Sequence, residues 1–168
     1  SKVLTFVRTK VRAERVMKAL NRVGIKSETI HGEKEQSDRI EVLNKFKTGI
    51  TNVLIATDVS SRGIDIPGVD YVINYDMPEQ VENYVHRVGR TGRGSEKGQA
   101  VSFCSKGEKT LLEDIENYLE KPIGTLDISK SDYLETLEIS NESHSDWKTL
   151  IRENEEMISK KKKKKKKK

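Results

Sequence analysis

The stretch VLIATDVSSRGIDI, residues 53–66, decides the fold class of this 168-residue chain. It begins with four apolar residues that are typical of a buried strand, and it passes directly into a Thr-Asp turn and a polar loop. In open α/β sheets the working groups collect where parallel strands end in this way. The stretch therefore predicts a strand of an α/β domain, with chemistry at its carboxyl end.

The same alternation of apolar runs and helical stretches extends over the first hundred residues. Such repetition predicts a parallel sheet sandwiched by helices and wound right-handed. Because the apolar runs are nearly continuous, we expect the strands to be buried on both faces. The predicted strands are Val3–Val7, Ser27–Ile30, Val53–Ala56, Tyr71–Asn74 and Ala100–Phe103.

Three helical segments between these strands each show an apolar face, and Gly24 and Gly49 stand where glycines end helices. A fourth helix is predicted from about Lys106 to Leu119, before Pro122. The predicted faces are Val16, Ala19, Leu20 and Val23 in the first segment, Ile40, Leu43 and Phe46 in the second, and Val81, Tyr84, Val85 and Val88 in the third.

The pattern divides the chain into a domain (1–123), a partly ordered extension (124–159) and a disordered tail of nine lysines (160–168). Leucine and isoleucine residues between 126 and 139 fit either a strand packed on the domain or a loosely attached segment. Trp147–Ile158 fits a short helix, with Trp147 as a packing anchor. The tail is expected to be disordered because its like charges repel one another.

Charge is distributed unevenly, although the net charge is +5. Residues 1–100 carry 17 basic and 13 acidic side chains, residues 101–159 carry 6 and 14, and the lysine tail adds nine positive charges. The first hundred residues are therefore the part of the fold suited to meet a polyanion. The tail fits either a nonspecific tether for a polyanion or a solvated end without a role.

Cysteine content and hydropathy limit the cellular setting. The single cysteine, Cys104, excludes an internal disulfide and a multi-cysteine zinc site, and it fits a reducing, cytoplasmic compartment. No apolar run approaches the roughly 20 residues of a membrane span, and no secretion signal is present. Since an apolar run begins almost at once after Ser1, we expect the chain to be part of a longer protein.

The segment HRVGRTGRG, residues 86–94, combines three arginines at every third position with three glycines. On the last turn of a helix these arginines share one side, and the glycines allow close approach of the backbone to a ligand. The planar guanidinium fork suits phosphate oxygens. The segment therefore predicts a site for a multiply charged phosphate, with a solvated basic helix end as the alternative.

Two further segments carry polar groups at predicted strand ends. The Thr57 hydroxyl suits a phosphate, and Asp65 suits a ribose hydroxyl or an arginine, although Thr57 and Asp58 also fit a simple helix cap. In HGEKEQSDR, residues 31–39, Gln36 and Arg39 share a helix face. A plain surface position is the alternative for Arg39.

Taken together and in this order, the segments resemble the C-terminal RecA-like domain of DEAD-box RNA helicases. Residues 86–93 resemble motif VI, and residues 53–66 resemble motif V. Residues 4–10 resemble motif IV, residues 31–39 resemble the His-Gly strand end with its Gln-x-x-Arg element, and residues 72–78 resemble the segment between motifs V and VI. The resemblance covers about residues 3–120.

In this family ATP binds between two RecA-like domains and RNA lies across both. The resemblance implies catalytic roles for Arg90 and Arg93 at the γ-phosphate, with Arg93 as arginine finger, and places Gly63 and Asp65 near the nucleotide ribose. It implies RNA contacts for Thr9, Gly32, Arg39 and Thr57, and interdomain coupling for Gln36, His86 and Arg87.

Several family elements are absent from these 168 residues: the phosphate loop, the Asp-Glu-Ala-Asp sequence and the adenine-binding glutamine motif. The implied partners are therefore RNA and an N-terminal RecA-like domain of the same protein, which would hold Mg²⁺ with the ATP. We expect a monomer that makes no membrane contact, and an isolated chain without ATP turnover. The alternatives are a stand-alone RNA- or protein-binding module and part of a superfamily 2 DNA helicase.

Overall fold

The computed structural model describes residues 1–61, 66, 68–92 and 98–135. The chain forms two units, Ser1–Gly124 and Thr125–Lys168. In the second unit residues 130–135 are helical, and the Ser129 hydroxyl accepts a hydrogen bond from Asp132 N at 3.1 Å. Residues 125–129 form neither helix nor strand. The predictions for Trp147–Ile158 and for the lysine tail lie outside the described residues.

The first unit contains a five-stranded parallel sheet in the order β2-β3-β1-β4-β5, which confirms the predicted fold class. Each strand lies within one residue of its predicted bounds. In register, Val3 of the central strand lies between Val53 and Tyr71. The strands are β1 Val3–Phe6, β2 Ser27–Ile30, β3 Val53–Ala56, β4 Tyr71–Asn74 and β5 Gln99–Ser102.

Helices connect the strands, and two of them have clear end signals. Thr9 caps α1 by accepting a hydrogen bond from Arg12 N at 3.2 Å. Gly49 ends α2 in the left-handed region at φ 79°, as its position in the sequence predicted. The helices are α1 Lys10–Arg22, α2 Gln36–Thr48, α3 Asp58–Ser61, α4 Val81–Val88 and α5 Lys109–Leu119, with a 3₁₀ turn at Lys106–Glu108. The short α3 was not predicted.

Two apolar clusters on the sheet confirm that helices cover it. In one, Leu4, Phe6, Leu54 and Ala56 pack with α2. In the other, Val53 and Ile55 pack with α1. A third cluster joins α4 and α5. The core therefore lies directly beneath the loops that leave the carboxyl ends of β1 and β3.

The predicted helix faces were partly wrong. Ile40 is 51% exposed, and Val42, which was not predicted, is buried beside the predicted Phe46 on α2. Residues two apart lie on nearly opposite sides of a helix, so a face that buries Val42 turns Ile40 outward. Residues wrongly assigned to the buried faces of the other helices are the exposed Ala19, Val23 and Val85, whereas Ala13 and Met17 complete the face of α1.

The prediction that every strand is buried on both faces was wrong for β5. Gln99 and Ala100 are exposed on β5, which lies at one edge of the sheet with β4 as its neighbour. On β4, Tyr71 is also exposed. Within the described part of the chain, no helix is long and apolar enough to cross a membrane.

Candidate functional site at the carboxyl edge of the sheet

Parallel strands bring the predicted site residues to one edge. Thr9 follows β1, Gly32 follows β2, and Thr57 follows β3 directly. Helix α4, which follows β4, carries His86 and Arg87 in its last turn. Thr9 and Arg87, 78 positions apart in the chain, are therefore presented along the same side of the domain.

Arg87 is buried in a network that links three strand ends. Its side chain is 2% exposed and forms a bidentate pair with Asp58, with Nε 2.7 Å from Oδ1 and Nη2 2.8 Å from Oδ2. Nη1 donates to Asn74 Oδ1 at 3.2 Å and to the Asp76 carbonyl oxygen at 2.8 Å. The guanidinium carbon lies 5.1 Å from the centre of the Phe6 ring, a cation–π distance.

This network changes how Arg87 and Asp58 are interpreted. Arg87 is satisfied inside its own domain, so any coupling to another domain has to pass through its partners. Asp58 was interpreted at most as a cap, yet it is the principal counter-ion of Arg87. The sequence signal for Asp58 was its place directly after a buried strand, but the sequence gives no distance to a residue 29 positions away.

Arg90 lies beyond the helix. Helix α4 ends at Val88, and the next turn tightens as Arg90 N and Thr91 N donate to the carbonyl oxygens of Arg87 and Val88 at 3.1 and 3.0 Å. A turn of this 3₁₀ type places residues three apart on the same side, and both Arg87 and Arg90 line one cleft.

His86 and Arg90 line a cleft of about 210 Å³ together with Asn83, Ser61 and Asp58. Among the described residues, neither the His86 imidazole nor the Arg90 guanidinium has a hydrogen-bond or ion-pair partner. An unpaired guanidinium beside a cleft, next to an arginine that is fully paired, suits an anionic ligand such as phosphate.

Two glycines, Gly92 and Gly98, flank residues 93–97 in the chain. Gly92 has φ 72°, a left-handed conformation that side chains strongly disfavour. A Cβ at Gly98 would collide with the Thr91 hydroxyl and the Gly92 backbone. Thr91 is itself fixed, because its hydroxyl donates to the Val69 carbonyl oxygen at 2.7 Å. The predicted site residues Gly63, Asp65 and Arg93 lie outside the described residues.

Thr57 and Arg39 are brought together through Ser60. The Ser60 hydroxyl donates to the Ile30 carbonyl oxygen at 2.7 Å and lies 3.0 Å from the Thr57 hydroxyl. Arg39 Nη2 donates to the Ser60 carbonyl oxygen at 3.4 Å, and its Nε is buried without a partner among the described residues. Thr57 also starts α3, since its carbonyl oxygen accepts from Ser61 N at 3.1 Å. The cap and the ligand interpretations of Thr57 are thus compatible.

The elements that carry Thr9 and Gly32 are braced against each other. Lys10 pairs with Glu33, and Glu14 Oε1 lies 3.0 Å from His31 Nε2 and 2.6 Å from the Thr29 hydroxyl. Burial alone would raise the pKa of Glu14. The hydrogen bonds from Thr29 and His31 and the positive charge of Lys34 outweigh burial, so the pKa is lowered.

The predicted site residue Gln36 is exposed at the first residue of α2. Within the described ranges, no group of three or more His, Cys, Asp or Glu side chains is arranged to hold a metal ion.

A five-stranded parallel sheet with these arginines at its carboxyl edge defines a RecA-like domain of the helicase type. The family model "Helicase conserved C-terminal domain" matches residues 1–95. The chain belongs to this family, and its sequence and fold match the C-terminal domain of DEAD-box proteins.

Curated relatives from yeast and bacteria are similar over most of this chain. The ATP-dependent RNA helicase DBP2 of Scheffersomyces stipitis is 50% identical over 115 residues, which are 68% of this chain and 22% of the relative. The ATP-dependent RNA helicase DeaD of Buchnera aphidicola is 43% identical over 134 residues, 80% of this chain and 22% of the relative. The chain thus spans about a fifth of the length of these relatives.

Solved structures show the same fold. Escherichia coli SrmB, a DEAD-box protein bound to regulator of ribonuclease activity A, has a TM-score of 0.73 and 39% identity, covering 76% of this chain and 75% of that one. A DEAD box protein from Methanococcus jannaschii has a TM-score of 0.72 and 40% identity, covering 75% and 35%.

Proposed function

We propose that this chain is the second RecA-like domain of an ATP-dependent RNA helicase, and that it supplies an arginine finger and RNA-backbone contacts for local unwinding of RNA duplexes. The observation that carries the proposal is the pairing state of the arginines. Arg87 is buried and fully engaged, whereas Arg90 faces a cleft without a partner among the described residues. A domain that only binds RNA has no need of this arrangement.

On the nucleotide side, Arg90 and Arg93 would hold the terminal phosphate of ATP. Bound ATP supplies the phosphoryl group whose transfer drives the cycle. Guanidinium groups placed at that phosphate offset the negative charge that develops on it, and an arginine finger contributes about 10³–10⁵ in rate. Gly63 and Asp65 would face the ribose, and the buried Arg87–Asp58 pair would hold the end of α4 in place for these contacts.

On the RNA side, Thr9, Gly32, Arg39 and Thr57 would contact phosphates and sugars. The support is their shared position at the carboxyl edge and the orphaned Nε of Arg39, a buried donor suited to an acceptor oxygen. Such contacts carry no sequence information. The domain would therefore grip RNA by its backbone, and separation of a short duplex would come from bending the bound strand.

The proposed partner is an N-terminal RecA-like domain of the same protein, which would hold Mg²⁺ and the β- and γ-phosphates. His86 at the end of α4 and Gln36 at the start of α2 would contact that domain, and their exposure supports this role. We propose a monomeric protein. The single cysteine supports a cytoplasmic setting.

The test is ATP turnover by the full-length protein with and without single-stranded RNA, compared with Arg93→Ala and with a control, Arg22→Ala, at the end of α1. We expect stimulation by RNA in the wild type, a loss of about 10³-fold or more in Arg93→Ala, and no loss in the control. The isolated chain should show no turnover. A full-length protein that binds RNA without turning over ATP would replace this proposal with a binding module.

A further inference from the structure

Asp76 connects the two halves of the candidate site. It follows β4 and is 5% exposed. Its Oδ2 accepts a hydrogen bond from Arg8 N at 2.8 Å, and its Oδ1 pairs with the Arg12 guanidinium. Its backbone carbonyl oxygen accepts from Arg87 Nη1 at 2.8 Å. One residue thus contacts the start of α1 through its side chain and the buried arginine of α4 through its backbone.

The position of Asp76 is fixed. Its own N–H donates to the Phe6 carbonyl oxygen at 3.4 Å, and the preceding Tyr75 N–H donates to the same oxygen at 2.9 Å. A buried carboxylate is retained only where partners compensate for its lost hydration, and here a backbone N–H and a guanidinium do so. A change in the turn that contains Arg8 therefore acts directly on the carboxylate.

That turn also carries a proposed RNA contact. Thr9 lies between Arg8 and Arg12, the two residues held by Asp76, and it caps α1. On the other side, Arg90 N is hydrogen-bonded to the carbonyl oxygen of Arg87 at 3.1 Å. Continuous contacts therefore run from Thr9 through Asp76 and Arg87 to Arg90.

We propose that Asp76 is a positioning residue that couples RNA bound at the start of α1 to the arginines at the end of α4. This inference rests on the proposed function. RNA that orders the Thr9 turn would stabilise the arrangement of Asp76 in which Arg87 is fully bonded and Arg90 faces the cleft. A contact chain becomes evidence of coupling only when the energies of its members are shown to depend on each other.

The experiment uses Arg12→Gln, Asp76→Asn and the double variant in the full-length protein. The measured quantity is the ratio of ATP turnover at saturating single-stranded RNA to turnover without RNA. We expect each single variant to lower this ratio about tenfold, within the usual range of coupling between sites. The double variant should lower it no further, because both changes break the same link.

Two further variants separate coupling from general damage. Arg15→Gln removes the same charge from the same helix at an exposed residue without an ion-pair partner in the described part of the chain, so its ratio should equal that of the wild type. Arg12→Lys keeps a cation beside Asp76 and should restore most of the ratio. The RNA concentration for half-maximal turnover is measured for each variant, since a lost RNA contact changes that value rather than the saturated ratio.

The outcomes are distinguishable. Because Asp76 is buried, Asp76→Asn is used only if the variant unfolds above the assay temperature. If it does not, Arg12→Gln decides the test, because the Arg12 side chain is half-exposed. A wild-type ratio in Arg12→Gln, or a loss equal to that of Arg15→Gln, would overturn the coupling role while leaving the proposed function intact. Absence of RNA stimulation in the wild type would overturn both.

Discussion

The Arg87 guanidinium lies edge-on against the Asp58 carboxylate, with both nitrogen–oxygen distances below 2.9 Å. This pair connects the end of α4 to the loop after β3, two segments that the resemblance assigns to different motifs. The pair is desolvated on the arginine side and partly open on the aspartate side. The loss of stability on removing one partner therefore depends on the free-energy cost of leaving the other without its counter-ion.

The first prediction concerns that cost. Arg87→Met keeps the length of the side chain but leaves Asp58, Asn74 and the Asp76 carbonyl oxygen without their shared donor. Breaking a buried pair in this way costs about 3–5 kcal/mol, and we expect the lower end because Asp58 retains some contact with water. Urea unfolding of the chain measures the change. Arg15→Met is the matched control, and a loss below about 1 kcal/mol for Arg87→Met would show that the pair is dispensable.

The second prediction compares two glycines. Gly98→Ala places a methyl group against Thr91 and the Gly92 backbone, so the backbone at Gly92 and Gly98 has to shift. We expect a loss of about 1–3 kcal/mol in unfolding free energy, as for other overpacked sites, and reduced ATP turnover in the full-length protein. Gly107→Ala is the control, because a Cβ there meets nothing within 4 Å. Equal stability of the two variants would contradict the close approach at Gly98.

The third prediction concerns acid stability. The pKa of Glu14 is lowered in the folded chain, so the carboxylate contributes stability above its ordinary value of 4.5 and loses that contribution as pH falls through the folded value. Glu14→Gln should therefore be less stable than the wild type near pH 7. The difference should shrink as the pH falls below about 4. Thermal unfolding from pH 7 to pH 3 measures it, and a constant difference would show that the charge of Glu14 is not involved.

The fourth prediction concerns the lysine tail. Removal of residues 160–168 should weaken binding to single-stranded RNA and flatten its salt dependence, by up to about 6 in the slope of log K against log salt if every lysine meets a phosphate. Fluorescence anisotropy at several salt concentrations measures the slope. A chain with nine glutamines in place of the lysines keeps the length without the charge and should behave like the deletion. An unchanged slope would leave the tail without a role in RNA binding.

The sequence predicted the sheet because its signals are local. Strands β1, β3 and β4 are mostly apolar runs, and Gly49 ends its helix at a backbone angle that a glycine tolerates best. The rotation of α2 was wrong because Ile40 and Val42 are equally apolar. The choice between them is made by the shape of the sheet beneath the helix, which local periodicity does not contain.

The sequence predicted where the site residues lie, but it did not predict which of them contact one another. The position of Thr57, Arg39 and Arg90 at one edge follows from parallel strands, which a pattern of alternating elements predicts. The hydrogen-bond partners of Arg87 do not follow from this pattern, because they lie at the start of α3, on β4 and just after β4. Which aspartate reaches a given arginine is decided by strand order, and the motif strings contain no information on distance. The implied ligand roles of Gly63, Asp65 and Arg93 stay predictions.

The strand order also has a consequence for biosynthesis. β1 is made first but lies between β3 and β4, and Lys2 is hydrogen-bonded to Asp70, 68 residues away in the chain. While the ribosome is producing this domain, the first strand has no neighbour on one side until β4 has emerged. Chains of this kind fold slowly, because the entropy of bringing distant segments together is lost before their contacts form. Apolar strands that stay exposed during this time can aggregate. Nascent chains that stop before Tyr71 should therefore need a chaperone, and release from it should coincide with the emergence of β4.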